Sequence, residues 1–351
     1  MKSIKIGNIE VGEGTPVRIN CNIGCNDAEG YAGEVEKLRV IKAVGCLPDM
    51  MMDLSLVKMP TPLYRVIRQE VGIPVGTVLS YIPFSKEKGL NWEECKDYLL
   101  KLCEDGISFV TIHFTAHELL LDIAQKERQI ACTSRGGGLC LYDIRKNNRK
   151  QNVFYEHIDE IADIAIKYDI VISLGVTFRP AIIFDACDAV HLRETEEQLR
   201  ICTYLQSRGV KVMVENVGHI ALSKLEEHAE LLRQFDAPIM PLGPIPTDSA
   251  INEDHISSAI GAAFAGYWRC ADIINCVTRY EHSHAELDSD VILEAIRAMR
   301  VVAHTIDVSR GIQSAMNEDY EISQMRGKQK SCLIDNRSCN RCSSFCPLKL
   351  V

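Results

Sequence analysis

The chain has 351 residues, 46% apolar and 25% charged, which is the balance of an ordinary globular protein and long enough for one α/β barrel with an appendage. A net charge of −9 leaves no surplus of Lys and Arg to neutralise phosphates, so a nucleic-acid partner is not expected. No run of about eighteen apolar residues is present to span a membrane, so a membrane partner is not expected either.

The opening Met1-Lys-Ser-Ile-Lys-Ile-Gly-Asn8 holds no secretory apolar core, and a cytoplasmic location is expected. Short apolar or β-branched runs then alternate with amphipathic helical stretches. Runs at 16–22, 48–54 and 74–80 read as strands and lead to a helical pattern over 91–105. Strands at 107–114 and 129–133 are followed by a helix over 155–168, then a strand at 170–176 and a helix over 192–208. A strand at 210–216, a helix over 222–235 and a strand at 238–243 complete the series. Eight strands with intervening helices predict an α/β fold of the (β/α)₈ TIM-barrel type over 1–312, with an open doubly wound sheet as the alternative. From about 312 the pattern decays into polar residues such as Gln313, Ser314, Asn317, Glu318 and Asp319. Residues 313–351 are therefore read as a tether and a C-terminal cluster-binding segment.

Polar and Gly-containing residues gather just after the strand ends, at Asn22 to Gly24, Asp53 to Ser55, Tyr81, His113, Ser134 to Gly138, Arg179 and Glu215 to His219. In a barrel these positions share one mouth, where separate loops converge on a substrate. The run Ser134-Arg-Gly-Gly-Gly138 can hold a phosphate, because Gly lets backbone N–H groups approach and Arg135 adds a planar cationic fork. A Gly-rich turn by itself is more often only a loop; Arg179 at another strand end favours the anion reading. Glu215 suits proton transfer or a substrate amine, or else a salt bridge to a neighbouring Arg. Asn22 and His113 read as hydrogen-bonding groups, and Met52 as apolar packing.

Of the fifteen cysteines, Cys46, Cys103, Cys187 and Cys276 sit singly in apolar segments, as reduced core thiols do. The tail Cys339-Asn-Arg-Cys342-Ser-Ser-Phe-Cys346-Pro347 is different: three close thiols suit an iron–sulfur cluster better than a closed four-ligand zinc. On a [4Fe–4S] cluster, three cysteines leave one iron free, where S-adenosyl-L-methionine (SAM) can chelate and be reductively cleaved. Cys332 is near enough in sequence to be a fourth ligand, which would close the cluster and make it an electron carrier or redox sensor. A third reading is a zinc hydrolase built on His219, His282 and Glu215.

Several strand-end runs occur in the order of one family: Cys21-Asn-Ile-Gly24, Met52-Asp-Leu-Ser55, Pro74-Val-Gly-Thr-Val78, Thr111-Ile-His113, Ser134-Arg-Gly-Gly137, Ser173-Leu-Gly175 and Arg179-Pro180. Gly218-His219, Leu242-Gly-Pro244, Thr247-Asp248, Asp254-His-Ile256, Ile260-Gly-Ala-Ala263 and Glu281-His282 follow. Together they resemble the phosphomethylpyrimidine synthase family of radical-SAM lyases, over roughly residues 15–312 and the tail. The resemblance implies a barrel with a C-terminal cluster arm that converts aminoimidazole ribotide (AIR) to hydroxymethylpyrimidine phosphate for thiamin. A related branch makes 5-hydroxybenzimidazole from the same nucleotide. It further implies a [4Fe–4S] cluster on Cys339, Cys342 and Cys346, SAM, and zinc or another divalent metal on His219 and His282. Substrate contacts are implied for Asn22, Met52, Tyr81, His113, Ser134, Arg135, Gly136, Arg179 and Glu215. The implied partners are a phosphorylated nucleotide, a reductant such as flavodoxin or ferredoxin, and a second protomer of a homodimer.

Departures from the family pattern lie at Val176-Thr-Phe-Arg179, where an acid is lost, at Met240 in place of a Tyr, and at Glu215-Asn-Val-Gly-His219. The cysteine spacing is also one residue tighter between Cys342 and Cys346. A buried polar group without its partner costs about 1–3 kcal/mol, so these changes should alter what the pocket holds. The run from Gly243 to His255 is expected to help seat SAM or substrate, with His284 as an alternative metal ligand to His282.

Overall fold

The computed structural model describes residues 2–284, 288–334, 339 and 341–350. The chain opens with an antiparallel hairpin of β1 (Ser3–Ile6) and β2 (Ile9–Gly12), turning at Gly7 with φ of 57°. Eight parallel strands follow: β3 (Arg18–Ile23), β4 (Met50–Asp53), β5 (Val75–Val78), β6 (Phe109–Ile112), β7 (Val171–Leu174), β8 (Lys211–His219), β9 (Ile239–Ile245) and β10 (Ile273–Asn275). They are ordered β10-β3-β4-β5-β6-β7-β8-β9. The seam between β9 and β10 is closed by Asp272 N–H donating to Ile239 O at 2.8 Å and by Asn275 Nδ2 donating to Pro241 O at 3.1 Å. The fold is therefore a TIM-type barrel.

Helices cover the outside: α1 (Tyr31–Val44), α2 (Leu63–Glu70), α3 (Trp92–Glu104), α4 (Glu118–Glu127), α5 (Arg135–Lys146), α6 (Val153–Glu156), α7 (Ile158–Tyr168), α8 (Ala189–Ser207), α9 (Leu222–Leu232), α10 (Asp254–Tyr267), α11 (Ser289–Arg310), α12 (Gln313–Gln329) and α13 (Pro347–Leu350). Because helices face the sheet from outside and side chains fill it from inside, strands β4 to β7 are buried at every residue.

Two expected elements differ. Residues 129–133 are not a strand but the link from α4 to α5, since β6 pairs directly with β7 and leaves no edge for them. The eighth strand is instead β10, only three residues long. Residues read as a tether form α12, which packs against α11. Its Gln, Glu, Met and Lys residues are strong helix formers, and Gly311 at φ 73° turns the chain between the two helices. Among the described residues, no helix is long and apolar enough to cross a membrane.

The barrel interior is one apolar cluster in which Met50, Phe109, Val171, Met213 and Ile273 meet Ile4, Ile6 and Val11 of the hairpin. The hairpin thus stoppers one end of the barrel. Gly76 on β5 makes room for the Phe109 ring, which a Cβ there would overlap. A larger cluster fills the space between strands and helices. With one end filled, the polar residues are left to the other.

Candidate active site

At the C-terminal ends of the strands lies a cavity of about 260 Å³. It is lined by Asn22 of β3, Met52 of β4, Tyr81 beyond β5, Thr111 and His113 at the end of β6, Ser134 and Arg135 at the start of α5, Arg179 beyond β7, and Glu215 of β8. Every substrate-contact residue expected from the sequence lines it except Gly136, which packs against His113. A Cβ on Gly136 would lie 2.6 Å from His113 Nδ1, and one on Gly175 would lie 2.7 Å from Nε2. The imidazole is therefore held between two glycines, which explains why both positions lack a side chain.

His113 is fully enclosed; burial first, and then the charge of Arg179, push its pKa down to about 3, so the ring is neutral at physiological pH. Its Nδ1 is buried without a protein partner, and its carbonyl accepts from Asn152 Nδ2 at 2.7 Å. Glu215 Oε1 accepts from the hydroxyls of Thr111 at 2.7 Å and Ser173 at 2.9 Å. Burial raises the Glu215 pKa, opposed by those two hydroxyls and by Arg179. Its hydrogen-bond partners are hydroxyls, and among the described residues it forms no ion pair with an Arg, unlike the salt-bridge reading.

The Ser134-Arg-Gly-Gly-Gly138 run is not a loop but the first turn of α5. Ser134 Oγ caps it by accepting from Gly137 N–H at 3.3 Å. Its free N–H groups, together with Arg135, give the cavity rim an electropositive end. The Arg135 guanidinium lies 5.7 Å over the Tyr81 ring. Among the described residues, neither Arg135 nor Arg179 has an ion pair to a carboxylate.

The loop carrying Arg179 is fastened from below. Glu194, fully buried on α8, accepts from Thr177 N–H at 2.6 Å, Phe178 N–H at 2.7 Å and Thr115 Oγ1 at 2.6 Å. Burial raises its pKa to about 7 despite those bonds. Arg128, paired to Asp188, donates to Phe178 O at 2.6 Å. Both residues escaped the sequence reading, as did cavity-lining Asn275; cavity-lining Asn216 and Glu281 stood in quoted runs but were given no role of their own. Glu281 is an exposed residue at the cavity rim whose carboxyl is desolvated enough to raise its pKa; it stands within the Glu281-His282 run that the sequence offered as a motif.

Strand β8 carries an irregularity between Val217 and His219, with Val217 at φ 60° and Gly218 at φ 121°. A Cβ on Gly218 would lie 2.6 Å from Pro180 O. This bulge re-aims His219, whose Nε2 comes 3.2 Å from His282 Nε2. Each ring's other nitrogen faces a carboxylate: His219 Nδ1 to Asp248 Oδ1 at 2.7 Å, and His282 Nδ1 to Asp254 Oδ1 at 3.0 Å. With both Nδ1–H groups donated to the carboxylates, the two Nε2 lone pairs border one short gap that a cation would suit. Two ligands on a tetrahedral zinc sit about 3.3 Å apart, from bond lengths of about 2.0–2.1 Å. The pair therefore fits a divalent metal with its carboxylates as orienting partners. Asp248 and Asp254, whose roles the sequence left undivided, are those partners. His255 faces Glu253 and Glu294, and His284 stacks on Tyr280; neither joins the pair.

Of the departures from the family pattern, Met240 lines the cavity, whereas Val176 is buried and does not. In the C-terminal arm, Cys342 precedes a single 3₁₀ turn (Ser343–Phe345) that ends at Cys346. Cys342 is exposed, while Cys339 and Cys346 are half-buried. Cys342 and Cys346 flank this turn and Cys339 precedes it in sequence; three accessible thiols at this spacing are a donor set suited to an iron–sulfur cluster. Cys332 is exposed on the stretch beyond α12. A larger cavity of about 470 Å³ is lined by Asp53, Ser55, Tyr64, Tyr98 and Lys101; it takes Asp53 and Ser55, expected at the mouth, away from the substrate cavity and holds none of the expected substrate contacts.

A family model described as the radical SAM ThiC family matches residues 2–334. The phosphomethylpyrimidine synthase of Carboxydothermus hydrogenoformans is 33% identical over 97% of this chain and 86% of its own length. That of Thermotoga petrophila is 34% identical with the same coverage. Among solved structures, dihydropteroate synthase from Yersinia pestis shares the fold at a TM-score of 0.50 and 9% identity, over 87% of this chain and 98% of that one.

Proposed function

We propose the following function for this chain, which belongs to the radical SAM ThiC family: it is a SAM-dependent lyase that rearranges a phosphorylated imidazole nucleotide, with AIR as substrate and a thiamin-pyrimidine phosphate as product. The observation that carries it is the 260 Å³ cavity, which combines the Glu215 carboxylate, one neutral imidazole and two guanidiniums that have no carboxylate partner among the described residues.

The phosphate would be held by Arg135, Arg179 and the first N–H groups of α5. Tyr81 and Met52 would pack on the heterocycle, while Asn22 and neutral His113 supply hydrogen bonds to its polar edge. His113 Nδ1, buried without a protein partner, is the group that a substrate would satisfy. Glu215, its pKa raised by burial, would accept and return a proton as ring and sugar carbons are rearranged. His219 and His282 would hold a divalent metal that orients the substrate.

Cys339, Cys342 and Cys346 would hold a [4Fe–4S] cluster. When bound, it supplies the electron that splits SAM into methionine and a 5′-deoxyadenosyl radical, drawn from a reductant of the flavodoxin or ferredoxin kind. The enclosed cavity would keep water from the reacting centre. Met240 on the cavity wall favours a second reading, a paralogous product from the same nucleotide such as 5-hydroxybenzimidazole.

The test is anaerobic reconstitution with iron and sulfide, followed by SAM, dithionite and AIR, with products identified by mass spectrometry. 5′-Deoxyadenosine together with a pyrimidine phosphate supports the first reading, and 5-hydroxybenzimidazole the second. Absence of both 5′-deoxyadenosine and any AIR-derived product overturns the AIR assignment.

A further inference from the structure

Away from the mouth, at the junction of α8 and α9, three ligating side chains converge. The ligand atoms of Cys187, His191 and His228 all lie within 4.8 Å of one another. His191 is 0% and His228 2% exposed, and Cys187 is half-buried. Two ring nitrogens, His191 Nε2 and His228 Nδ1, are buried without a hydrogen-bond partner. Native interiors rarely leave such atoms unpaired.

The rings do not satisfy each other. Their centroids are 4.3 Å apart in planes tilted by 34°, and no hydrogen bond links the two rings. His228 is set as a ligand should be: its Nε2 lies 2.9 Å from Asn216 Oδ1, which also accepts from Val217 N–H and so fixes the ring proton on Nε2. That leaves the Nδ1 lone pair free. Cys187 and His191 are four residues apart at the start of α8, a local ligand spacing. Cys187 is held in the left-handed region at φ 61°. The neighbouring cations are engaged elsewhere: Lys224 Nζ donates to Ala186 O at 2.8 Å, and Arg128 is paired to Asp188.

We propose that Cys187, His191 and His228 form a second metal site, which takes a zinc-class divalent cation through one thiolate and two imidazoles. Three protein donors leave one position for water, a coordination that zinc accepts. Binding releases one proton, from the Cys187 thiol. It also moves the His191 ring proton from Nε2 to Nδ1, which gives up the contact with Cys187 N–H. Burial already keeps both imidazoles neutral, the form that ligates. The site would pin the start of α8 to α9 behind β8. Asn216 joins it to the substrate cavity, since one face of that residue holds His228 and the other lines the pocket.

The test uses the full chain carrying Cys339→Ser, Cys342→Ser, Cys346→Ser, His219→Asn and His282→Asn, which removes the other candidate ligands. After anaerobic dialysis against zinc, one equivalent should remain by elemental analysis. Cobalt(II) loading should give a thiolate-to-metal charge-transfer band. Adding Cys187→Ala should abolish the band, and adding His228→Asn should weaken metal retention at least about tenfold. If the background variant does not fold by circular dichroism, the comparison moves to the otherwise unaltered chain. There Cys187→Ala should lower zinc by one equivalent and leave cluster iron unchanged. No retained metal and no band in a folded background, or an unchanged zinc count in the Cys187→Ala chain, overturns the proposal; the two nitrogens would then be bridged by water.

Discussion

Gly136→Ala is the sharpest perturbation the site offers, because the same helical turn contains its own control. An added Cβ at 136 lies 2.6 Å from His113 Nδ1, whereas at Gly138 it meets nothing within 4 Å. Carbon contacts are ordinarily about 3.5–4.0 Å, so the imidazole would have to retreat by about 1 Å. Gly175 blocks the opposite face, since its own built Cβ lies 2.7 Å from Nε2, and the ring can yield only into the cavity. Both substitutions gain the same helix propensity of up to about 1 kcal/mol, which cancels in the comparison. What remains is the overpacking cost, typically about 1–3 kcal/mol, carried by Gly136→Ala alone. Urea denaturation followed by circular dichroism should therefore place Gly136→Ala about 1–3 kcal/mol below Gly138→Ala. Product formation should fall by roughly 10²-fold in the former, the scale of a 1 Å misplacement, and little in the latter. Equal stability and equal activity in the two variants would refute the clamp around His113.

Asp248→Ala removes the acceptor behind His219 and should weaken zinc binding at the two-histidine pair by about 10–100-fold, measured by competition with a chelator. His113 stays neutral in the folded chain down to about 3 but protonates near 6.5 when unfolded. The unfolded state thus takes up the proton first, and stability falls as pH drops from 6.5 towards 3. In His113→Gln, chemical denaturation across that window should show a flatter pH dependence. Arg179→Ala should raise KM for the phosphorylated nucleotide by roughly 10–150-fold, from about 1.5–3 kcal/mol for a charged hydrogen bond. The same variant should treat an unphosphorylated analogue as the parent does; steady-state kinetics with both compounds decides it.

Much of this molecule was legible before its coordinates, for reasons particular residues make plain. In a parallel barrel the strands are buried on both faces, so runs such as Met50-Met-Met-Asp53 and Val171-Ile-Ser-Leu174 announce themselves by apolarity. The polar end of the barrel was legible because polar residues interrupt those runs only at their ends. The misses share a cause: they depend on what lies opposite in space. Residues 129–133 have strand-like composition but no open edge to join, while β10, three residues long, exists because it completes the seam between β9 and β3. The N-terminal hairpin carried an alternating pattern with a Gly-Asn turn that the reading passed over. The pairing of Asp248 with His219 and of Asp254 with His282 spans 29 and 28 residues, and no local spacing encodes it.

The plug made by Ile4, Ile6 and Val11 has a consequence for turnover. With the far end shut by described residues, the proposed nucleotide, the sulfonium reagent and their products would share one doorway. Arrivals and departures must then queue: whichever compound lies deeper has to enter first and leave last. Inhibition patterns should show that order, and a back door opened at the hairpin would erase it.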